Sequence, residues 1–494
     1  MPDYSLYETV VGLEVHAQLK TASKLFCGDS TAYGAEPNTQ TSPLTLAHPG
    51  TLPKTNKKAV AFAVKMGLAC HCSINRDNWF DRKNYFYPDL PKGYQLSQHT
   101  TPVCSGGYIV INPDSPDEKK IRLNHIHLEE DAGKSIHDAD KDYSNIDLNR
   151  AGTPLIEIVT EPDIRNGEEA FAFLTEIRRL VRYLDICDGN MEEGSLRCDA
   201  NISVRLKGEK KMGTRVEVKN LNSIRNVKRA IEFETARLIG LLEKGETIVQ
   251  QTRSFDANTG NTFAIREKED ADDYRYFPEP DLAPLHISDD FIVEIQKTIP
   301  LLPAERIKKY IGEFGLSAYD ASVLAEEKSM ADFFEETVEE LCAMAGKNDK
   351  KKPLKKAAAN WMLGPVKSWL NEKNCGAEEF PLPARQLAKV INMTEEGKLS
   401  FSAASARLFP LMLKEPESDP EKLAILNNLM QQSDVSAIGL VVDKVLEKFA
   451  DKAEVYKKGK KGLLAFFVGE VMKETKGKAD PKLTNELLLE KLKS

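Results

Sequence analysis

Short stretches that alternate between apolar and polar residues recur up to about residue 290, and this period is typical of β-strands with one buried face. The clearest is GLEVHAQL (12–19), whose apolar residues would cover one face while Glu14, His16 and Gln18 line the other. A sheet face that carries Glu beside His is either washed by solvent or able to hold a metal ion. The pattern by itself leaves both interpretations open.

Two segments in the same part have the 3.6-residue period of amphipathic helices, at 167–186 and at 223–245. Beyond about residue 300 the strand patterns disappear, and helical periodicity continues with breaks at 347–353 and 378–384. The predicted fold class is therefore α+β, with a large and mostly antiparallel sheet system followed by all-α segments. Boundaries placed near 295 and 405 give three predicted domains, which are 1–295, 296–405 and 406–494.

Composition narrows the class of protein. The 494 residues are 41% hydrophobic and 29% charged, and no apolar run approaches the ~18 residues of a membrane span. The acidic start is unlike a signal peptide, and eight cysteines without a disulfide-like spacing favour reduced thiols in the cytoplasm. The net charge of −8 argues against a general nucleic-acid coat, although residues 451–494 contain eleven lysines against seven acids.

Acidic residues inside other predicted strands extend the metal hypothesis. In NHIHLEED (124–131), alternation places Glu129 on the same face as two histidines, and Glu157 interrupts the apolar strand TPLIEIV. A carboxylate in such a strand is costly to bury unless a cation meets it. Carboxylates from separate strands with one imidazole suit a hard divalent ion such as Mg²⁺ or Mn²⁺, whereas separate solvated residues would give the same pattern.

Three further stretches combine cations with aromatic or amide groups. DRKNYFYPDLPKGYQLSQ (81–98) suits a phosphate-and-base ligand, or else an ordered loop that covers the sheet. MEEGSLRCDANISV (191–204) and VEVKNLNS (216–223) would form either a nucleotide-binding network or structural salt bridges. The residues concerned are Arg197, Asp199, Asn201, Lys219 and Asn222.

Neither familiar phosphate-binding loop is present. Leu128 occupies the first glycine position of a P-loop that would end in DAGKS (131–135), and no G-x-G occurs in the chain. A bound nucleotide would therefore be held in another way.

Seven segments together closely resemble the GatB family, the GatB subunit of the bacterial aspartyl/glutamyl-tRNA(Asn/Gln) amidotransferase. They are YETVVGLEVHAQL, DRKNYFYPDLPKGYQLSQ, HLEEDAGKS, DLNRAGTPLIEIVTEPD, MEEGSLRCDANISV, VKNLNS and DDYRYFPEPD. The resemblance extends along the whole chain and includes GLLAFFVGEVMKETKGKADPKLTNELL, which is similar to the small YqeY-like tail module of that family. It implies a catalytic cradle domain that resembles glutamine synthetase, then an all-α helical domain and a small all-α tail domain that binds tRNA.

The resemblance also implies the activity. Members of the family bind ATP and Mg²⁺ and phosphorylate the side-chain carboxylate of Glu-tRNA(Gln) or Asp-tRNA(Asn). Ammonia, which a glutaminase subunit releases from glutamine and which passes through an internal channel, then displaces phosphate to give Gln-tRNA(Gln) or Asn-tRNA(Asn). The expected partners are therefore this glutaminase subunit, together with a small third subunit, in a heterotrimer, with the charged tRNA as substrate. The route is chemically sensible because acyl phosphate formation makes the carboxylate oxygen a good leaving group.

Site residues follow by matching to the motifs of that family. Binding of Mg²⁺ and catalysis are assigned to Glu14, His16, Glu129 and Glu157. Contacts with ATP or the aminoacyl group are assigned to Arg82, Lys83, Tyr85, Tyr87, Arg150, Arg197 and Lys219. Contacts between the tail and the phosphates of tRNA are assigned to Lys457, Lys458, Lys460, Lys461, Lys473, Lys476 and Lys478, each of which could instead be a solvated surface residue.

The sequence departs from many members of the family at a zinc site. Those members carry C-x-C after the first strand and C-P-x-C about fifteen residues later. The matching segments here are CGD (27–29) and SPLT (42–45), so three of the four thiolates are missing. We therefore predict no structural zinc.

The residues leave two other functions open. A stand-alone amide ligase would consume ATP with free glutamate and ammonia, but it would leave the lysine-rich tail unexplained. An RNA-binding scaffold would use the metal only to brace the sheet, so Glu129→Gln would weaken folding and leave any ATP-dependent step of the assembled complex intact.

Overall fold

The computed structural model describes residues 4–113, 115–137, 142–267, 274–345, 351–430, 435–457, 459–475, 479 and 481–493. The chain divides into two compact units, Met1–Ala304 and Glu305–Ser494. All described strands lie in the first unit, and the second unit is helical in its described residues. The mixed α+β class predicted from the periodicities is confirmed.

The first unit is built on β-strands. They are β1 (Tyr7–Gln18), β2 (Ser73–Ile74), β3 (Asp77–Asn78), β4 (Asp81–Asn84), β5 (Tyr94–Ser97), β6 (Cys104–Ser105), β7 (Tyr108–Ile111), β8 (Lys119–Glu130), β9 (Lys134–His137), β10 (Ser144–Asp147), β11 (Pro154–Thr160), β12 (Leu196–Leu206), β13 (Val216–Leu221), β14 (Gln251–Asp256), β15 (Asn261–Glu267), β16 (Phe277–Pro278) and β17 (Leu285–His286). Among the described residues, thirteen strands form one sheet, whose main path is β15-β14-β13-β12-β1-β11-β8-β5-β4-β16. Most pairs are antiparallel, and β13 with β14 is a parallel pair.

The long strand β1 lies between β11 and β12 near the middle of this path. Leu13, Val15 and Ala17 are fully buried, because alternation directs them all to one face of the sheet. The antiparallel register pairs His16 with Glu157 of β11. The polar residues of β1 therefore occupy the opposite face, as GLEVHAQL predicts.

Four helices lie within the described residues of this unit. They are α1 (Lys57–Ala69), α2 (Gly167–Tyr183), α3 (Ile224–Glu243) and α4 (Asp289–Gln296). The helices α2 and α3 begin where Asn166 and Ser223 cap them, since each side chain accepts a hydrogen bond from a backbone N–H of the first turn. Their apolar residues share one hydrophobic core with the buried face of the sheet, which leaves the polar face of β1 outside that core.

The remaining helices are α5 (Pro303–Gly312), α6 (Ala318–Leu324), α7 (Lys328–Ala345), α8 (Lys351–Trp361), α9 (Lys367–Lys373), α10 (Ala384–Glu395), α11 (Phe401–Ala403), α12 (Phe409–Lys414), α13 (Pro420–Leu426), α14 (Val435–Lys448), α15 (Ala450–Lys457), α16 (Leu463–Glu474) and α17 (Pro481–Lys493). One hydrophobic cluster contains residues from Tyr310 to Leu429, and another contains residues from Ile438 to Leu492. The boundary predicted near 405 falls inside the first of these clusters, because Leu408 and Met412 are buried in it.

None of the helices in the described ranges combines the length and the apolar character that crossing a lipid bilayer would require.

Candidate functional site

The polar face of the central strands opens onto a cavity of about 550 Å³. Residues from β1, β4, β8, β12 and β13 contribute to its wall. Five of the seven residues predicted to contact ATP or the aminoacyl group line it, and they are Lys83, Tyr85, Arg150, Arg197 and Lys219. His16 and Glu129 line it as well.

The first group of possible metal ligands consists of His16, Glu129 and Glu157, with one donor atom from each lying within 4.8 Å of the others. The Nε2 atom of His16 is 3.4 Å from Glu157 Oε2 and 3.7 Å from Glu129 Oε1. His127 Nε2 is also 3.4 Å from Glu157 Oε2. Two carboxylates and an imidazole from three strands fit Mg²⁺ or Mn²⁺ as a donor set. We call these three residues the first acidic cluster.

Opposite charges determine the protonation of this cluster. Burial lowers the pKa of His16, but Glu157, followed by Glu129 and Asp199, raises that pKa to about 9. Burial raises the pKa of Glu157, yet His16 and His127 hold it well below its usual value. Glu157 is therefore an ionised carboxylate at neutral pH, which is the form that binds a cation, whereas the imidazole of His16 has to release a proton before it can bind one.

Glu14 belongs to a different group, with Asp199 and Glu217, which we call the second acidic cluster. The structure does not bring Glu14 together with the other three predicted ligands. The reason is strand geometry, because residues i and i+2 on one face are about 7 Å apart. Glu14 is instead paired in register with Asp199 of β12. Three carboxylates form an oxygen donor set that suits a hard cation, and Lys219 Nζ lies 2.6 Å from Asp199 Oδ2.

Asp131 positions the two arginines of the cavity. Its Oδ1 is 3.0 Å from Arg197 Nη2, and its Oδ2 is 3.6 Å from Arg150 Nε. Burial raises the pKa of Asp131, but Arg197 and Arg150 lower it below its usual value. Because the arginine side chains keep 35% and 34% of their surface exposed, they present positive charge to the cavity.

Lys83 is a cation with aromatic neighbours. Its Nζ lies 5.0 Å from the centre of the Tyr274 ring and 5.9 Å from that of Tyr85. Burial lowers the pKa of Lys83, but the charge of Glu129 helps to raise it, so the ammonium stays protonated. Tyr87 is 53% exposed, packs edge-on against Tyr85 and is not among the residues that line the cavity.

Arg82 faces away from the cavity, because neighbouring residues of β4 point to opposite sides of the sheet. Its guanidinium donates two hydrogen bonds to Glu279, of 2.7 and 2.8 Å, and lies over the Tyr94 ring. The ligand contact predicted for Arg82 is thus replaced in the structure by a structural ion pair.

Replacing Arg82 and Lys83 separately by Met should affect different properties, stability in the first case and ligand binding in the second. Arg82→Met leaves the Glu279 carboxylate, which is 1% exposed, without its guanidinium, so the free energy of unfolding should fall by roughly 3–5 kcal/mol. Lys83→Met removes a charge from the cavity wall and should weaken binding of Mg²⁺-ATP about tenfold, with a smaller change in stability. Chemical denaturation and calorimetric binding measure the two effects. A larger loss of stability in Lys83→Met than in Arg82→Met would contradict this assignment.

His125 extends the first acidic cluster toward the surface. Its Nε2 lies 3.0 Å from His127 Nδ1, and its Nδ1 lies 2.7 Å from Asn124 Oδ1. Burial and the neighbouring His127, with a smaller contribution from His99, lower the pKa of His125 to about 4 against the opposing effect of Glu157.

This shift predicts a pH-dependent stability. Between pH 6.5 and 4 the unfolded chain binds a proton at His125 that the folded chain does not, so the free energy of unfolding should fall as the pH drops through this window. His125→Gln should remove that part of the slope, whereas the same change at the exposed His48 should not. Urea unfolding at several pH values measures both. An unaltered slope in His125→Gln would count against this protonation state.

The two segments matched to the zinc site of the family are joined by hydrogen bonds. Asp29 Oδ2 accepts from the Ser42 N–H at 2.8 Å and from the Thr45 hydroxyl at 2.5 Å. The buried Lys24 reaches the same loop, where its Nζ donates to the Gln40 carbonyl at 2.8 Å. These contacts give the loop ordinary polar cross-links, and the lack of zinc stays a prediction that metal analysis of the purified chain would test.

The lysines predicted to bind tRNA fall into two sets. Lys457, Lys460, Lys461 and Lys473 are exposed. Lys458, Lys476 and Lys478 lie outside the described residues. Contact with tRNA therefore stays a prediction for all seven.

Sequence reasoning missed Glu217 and Asp131 as site residues. Alternation in VEVKN places Glu217 on the face of Lys219, which was assigned, so period 2 could have found it. Asp131 follows β8 directly. Its role depends on two arginines that are distant in the sequence, which no local pattern reveals.

Comparison with known proteins finds similarity to one protein family along most of the chain. A family model described as "GatB/GatE catalytic domain" matches residues 9–293, and one described as "GatB domain" matches residues 332–492. The GatB subunit of the aspartyl/glutamyl-tRNA(Asn/Gln) amidotransferase of Thermodesulfovibrio yellowstonii is 48% identical over 487 residues, which cover 99% of each chain. The protein of the same name from Alkalilimnicola ehrlichii is 48% identical over 99% of this chain and 100% of its own. That of Geobacter sulfurreducens is 48% identical over 99% of both chains.

Proposed function

Because the chain belongs to the GatB family of aspartyl/glutamyl-tRNA(Asn/Gln) amidotransferase subunits, we propose that it phosphorylates the side-chain carboxylate of Glu-tRNA(Gln) or Asp-tRNA(Asn) with ATP. Ammonia from glutamine then displaces phosphate to give the amide, Gln-tRNA(Gln) or Asn-tRNA(Asn). The chain is accordingly part of a glutamine-hydrolysing ligase that serves translation.

The observation that carries this proposal is the pair of acidic clusters on one sheet face beside a cationic cavity. We assign a Mg²⁺ ion to each cluster, held by His16, Glu129 and Glu157 in the first. Bound Mg²⁺ would neutralise phosphate oxygens and favour in-line transfer of the terminal phosphoryl group. Two sites that lie side by side suit a reaction between two anions, ATP and a carboxylate.

The residues of the chain itself supply the remaining charge. Lys83, Arg150 and Arg197 present positive groups at the wall of the cavity, where they would stabilise the transferred phosphoryl group and orient the aminoacyl carboxylate. Asp131 fixes both guanidinium groups, so little reorganisation is needed when the substrates bind. Lys219 would balance the charge of the second acidic cluster before a cation enters.

We further propose a division of labour along the chain. The first unit would form a cradle that resembles glutamine synthetase, as expected for residues 1–295. The helical part would extend to about residue 430 rather than 405, because one hydrophobic cluster contains Tyr310 and Leu429. The residues that follow would form the tail that binds tRNA. A glutaminase subunit would supply the ammonia, and a small third subunit would complete a cytoplasmic heterotrimer.

Removing positive charge from the tail should weaken tRNA binding and flatten its dependence on salt. Each lost phosphate contact lowers the slope of log K against log salt by roughly 0.7–0.9, so Ala at Lys457, Lys460, Lys461 and Lys473 should lower it by about 3. Fluorescence anisotropy with labelled tRNA from about 50 to 300 mM salt measures the slope. Ala at four exposed lysines elsewhere, Lys54, Lys120, Lys244 and Lys297, is the matched control. Equal slopes in the two variants would mean that the tail lysines are only a solvated surface.

The test of the proposed function is an ATP-dependent conversion assay on the complex co-purified with this chain. Glu-tRNA(Gln) and Asp-tRNA(Asn) should be converted to their amides in the presence of glutamine, Mg²⁺ and ATP, with phosphate released in equal amount. Free glutamate in place of the charged tRNA is the control. Conversion of free glutamate, or amidation without ATP, would overturn the proposal.

A further inference from the structure

One member of the second acidic cluster is held by a strand that does not reach the catalytic cavity. Glu217 of β13 is 5% exposed, and it is paired in parallel register with Thr252 of β14. The Thr252 hydroxyl donates a hydrogen bond of 2.9 Å to Glu217 Oε2. In the part of the chain that the structure describes, β14 contributes no residue to the wall of the cavity of about 550 Å³. Any effect of Thr252 on a bound cation would therefore pass through Glu217.

Alternation divides the side chains of β14 between the two faces of the sheet. Arg253 lies on the face of α3, where its Nε is 3.1 Å from Glu234 Oε1. Thr252 and Ser254 lie on the opposite face, and each is 2% exposed. Ser254 accepts a hydrogen bond of 2.7 Å from Nδ2 of Asn220 in β13. The strand β14 therefore presents two buried hydroxyl groups to polar residues of β13.

The two carboxylate oxygens of Glu217 have different surroundings. Oε2 accepts the hydrogen bond from Thr252, whereas Oε1 lies 3.4 Å from Lys219 Nζ. The same Nζ lies 2.6 Å from Oδ2 of Asp199, which is another member of the second acidic cluster. The hydrogen bond from Thr252 thus holds one oxygen toward β14 and leaves the other facing the cluster. A carboxylate that is fixed in this way needs little reorientation when a cation enters.

Carboxylates that bind metals are generally oriented by hydrogen bonds from neighbouring groups, and removing such a partner typically lowers metal affinity about 10–100-fold. We infer that Thr252 is a positioning residue of the second acidic cluster, where it fixes the Glu217 carboxylate for a divalent cation. This inference rests on the proposed function, because that proposal places Mg²⁺ in this cluster. It gives β14 a role in cation binding.

The variants Thr252→Val and Thr252→Ser separate the hydroxyl group from the rest of the side chain. Val keeps the shape of Thr and removes the hydrogen bond, whereas Ser keeps the hydroxyl. Ser254→Ala is the matched control, because it removes the other buried hydroxyl of β14, whose partner Asn220 is outside the cluster. All variants also carry Glu129→Gln, which weakens the first acidic cluster, so that binding is measured at the second. The probe is Mn²⁺ alone, and its binding to the purified complex is measured by calorimetry and by the EPR signal of the free ion.

Thr252→Val should raise the Kd of Mn²⁺ about tenfold, while Thr252→Ser and Ser254→Ala should leave it within about threefold. The effect should depend on Glu217, so Thr252→Val added to Glu217→Gln should change the Kd by less than about twofold. A merely structural side chain would lower the affinity equally whether residue 217 is Glu or Gln. Thermal unfolding in EDTA identifies a variant that fails to fold, and Thr252→Ala then takes the place of Thr252→Val.

Two kinds of failure are distinguishable. An unchanged Kd in Thr252→Val, an equal loss of affinity in Ser254→Ala, or an undiminished effect in the presence of Glu217→Gln would overturn the role of Thr252 and leave the proposed function standing. If the complex that carries only Glu129→Gln did not bind Mn²⁺, the assignment of a cation to the second acidic cluster in the proposed function would be overturned together with this inference.

Discussion

Glu129→Gln should lower ATP-dependent amidation of charged tRNA by at least about 10³-fold while the complex stays assembled and still hydrolyses glutamine. The Glu129 side chain is 4% exposed, and its Oε1 lies 3.7 Å from His16 Nε2 in the first acidic cluster. The amide keeps the shape of the carboxylate but removes the charge that would hold Mg²⁺ and balance Lys83. Loss of a single charge-stabilising contact at a reacting phosphate typically costs about 10²–10³ in rate, and the loss of a metal ligand adds to that.

The matched control is Glu161→Gln, the same substitution just beyond β11. Glu161 accepts a hydrogen bond from Asn124 at 2.7 Å and is outside both acidic clusters, so its variant should amidate at nearly the normal rate. Gel filtration of the complex, a glutaminase assay and the tRNA conversion assay separate assembly from the two activities. If Glu129→Gln reduced stability and left amidation intact, the chain would be an RNA-binding scaffold and not the catalytic component.

Glu14→Gln should raise the Mg²⁺ concentration needed for half-maximal amidation at least tenfold and lower the maximal rate about 100-fold, because one of three carboxylates of the second acidic cluster is lost. Stability should change little, since Glu14 is repelled by the two neighbouring carboxylates while Lys219 pairs with Asp199 and Glu217 and not with Glu14 among the ion pairs described. The measurements are a Mg²⁺ titration of the amidation rate and thermal unfolding in EDTA.

Glu8→Gln is the control for this second substitution. Glu8 lies on β1 as well, but it pairs with Arg205 and Arg165 at a distance from both clusters. Its variant should keep the normal Mg²⁺ dependence. A normal Mg²⁺ dependence in Glu14→Gln would show that the second acidic cluster does not bind Mg²⁺. The assignment of Mg²⁺ to the first acidic cluster would still stand.

The placement of Glu14 illustrates what the residue pattern could and could not provide. Alternation in GLEVHAQL was sufficient to put Glu14 and His16 on one polar face, because side-chain direction in a strand depends only on position along the chain. It could not separate them into two clusters. That separation depends on the register with β11 and β12, which pairs His16 with Glu157 and Glu14 with Asp199.

Arg82 and the boundary near 405 have a similar explanation. Arg82 and Lys83 are adjacent and both carry a positive charge, so the sequence does not show which of them contacts a ligand. In the structure Arg82 forms an ion pair with Glu279, almost 200 residues away. The helices on either side of residue 405 each have the 3.6-residue period of an amphipathic helix, so their sequences do not show whether they share one core. Only their packing shows that Leu408 and Met412 belong to the same core as Tyr310.

The sequence by itself determined the α+β class, the polar face of β1, the change to helices after about residue 300 and, through long ordered motifs, membership of the family. These properties follow from local periodicity or from the direct match of residues, and neither requires knowledge of distant contacts. The tertiary structure decided which carboxylates lie close to one another and which cationic side chains reach the cavity. The physical reason is that charges act over a few ångströms in space, and the pairing of strands brings those charges together irrespective of their separation along the chain.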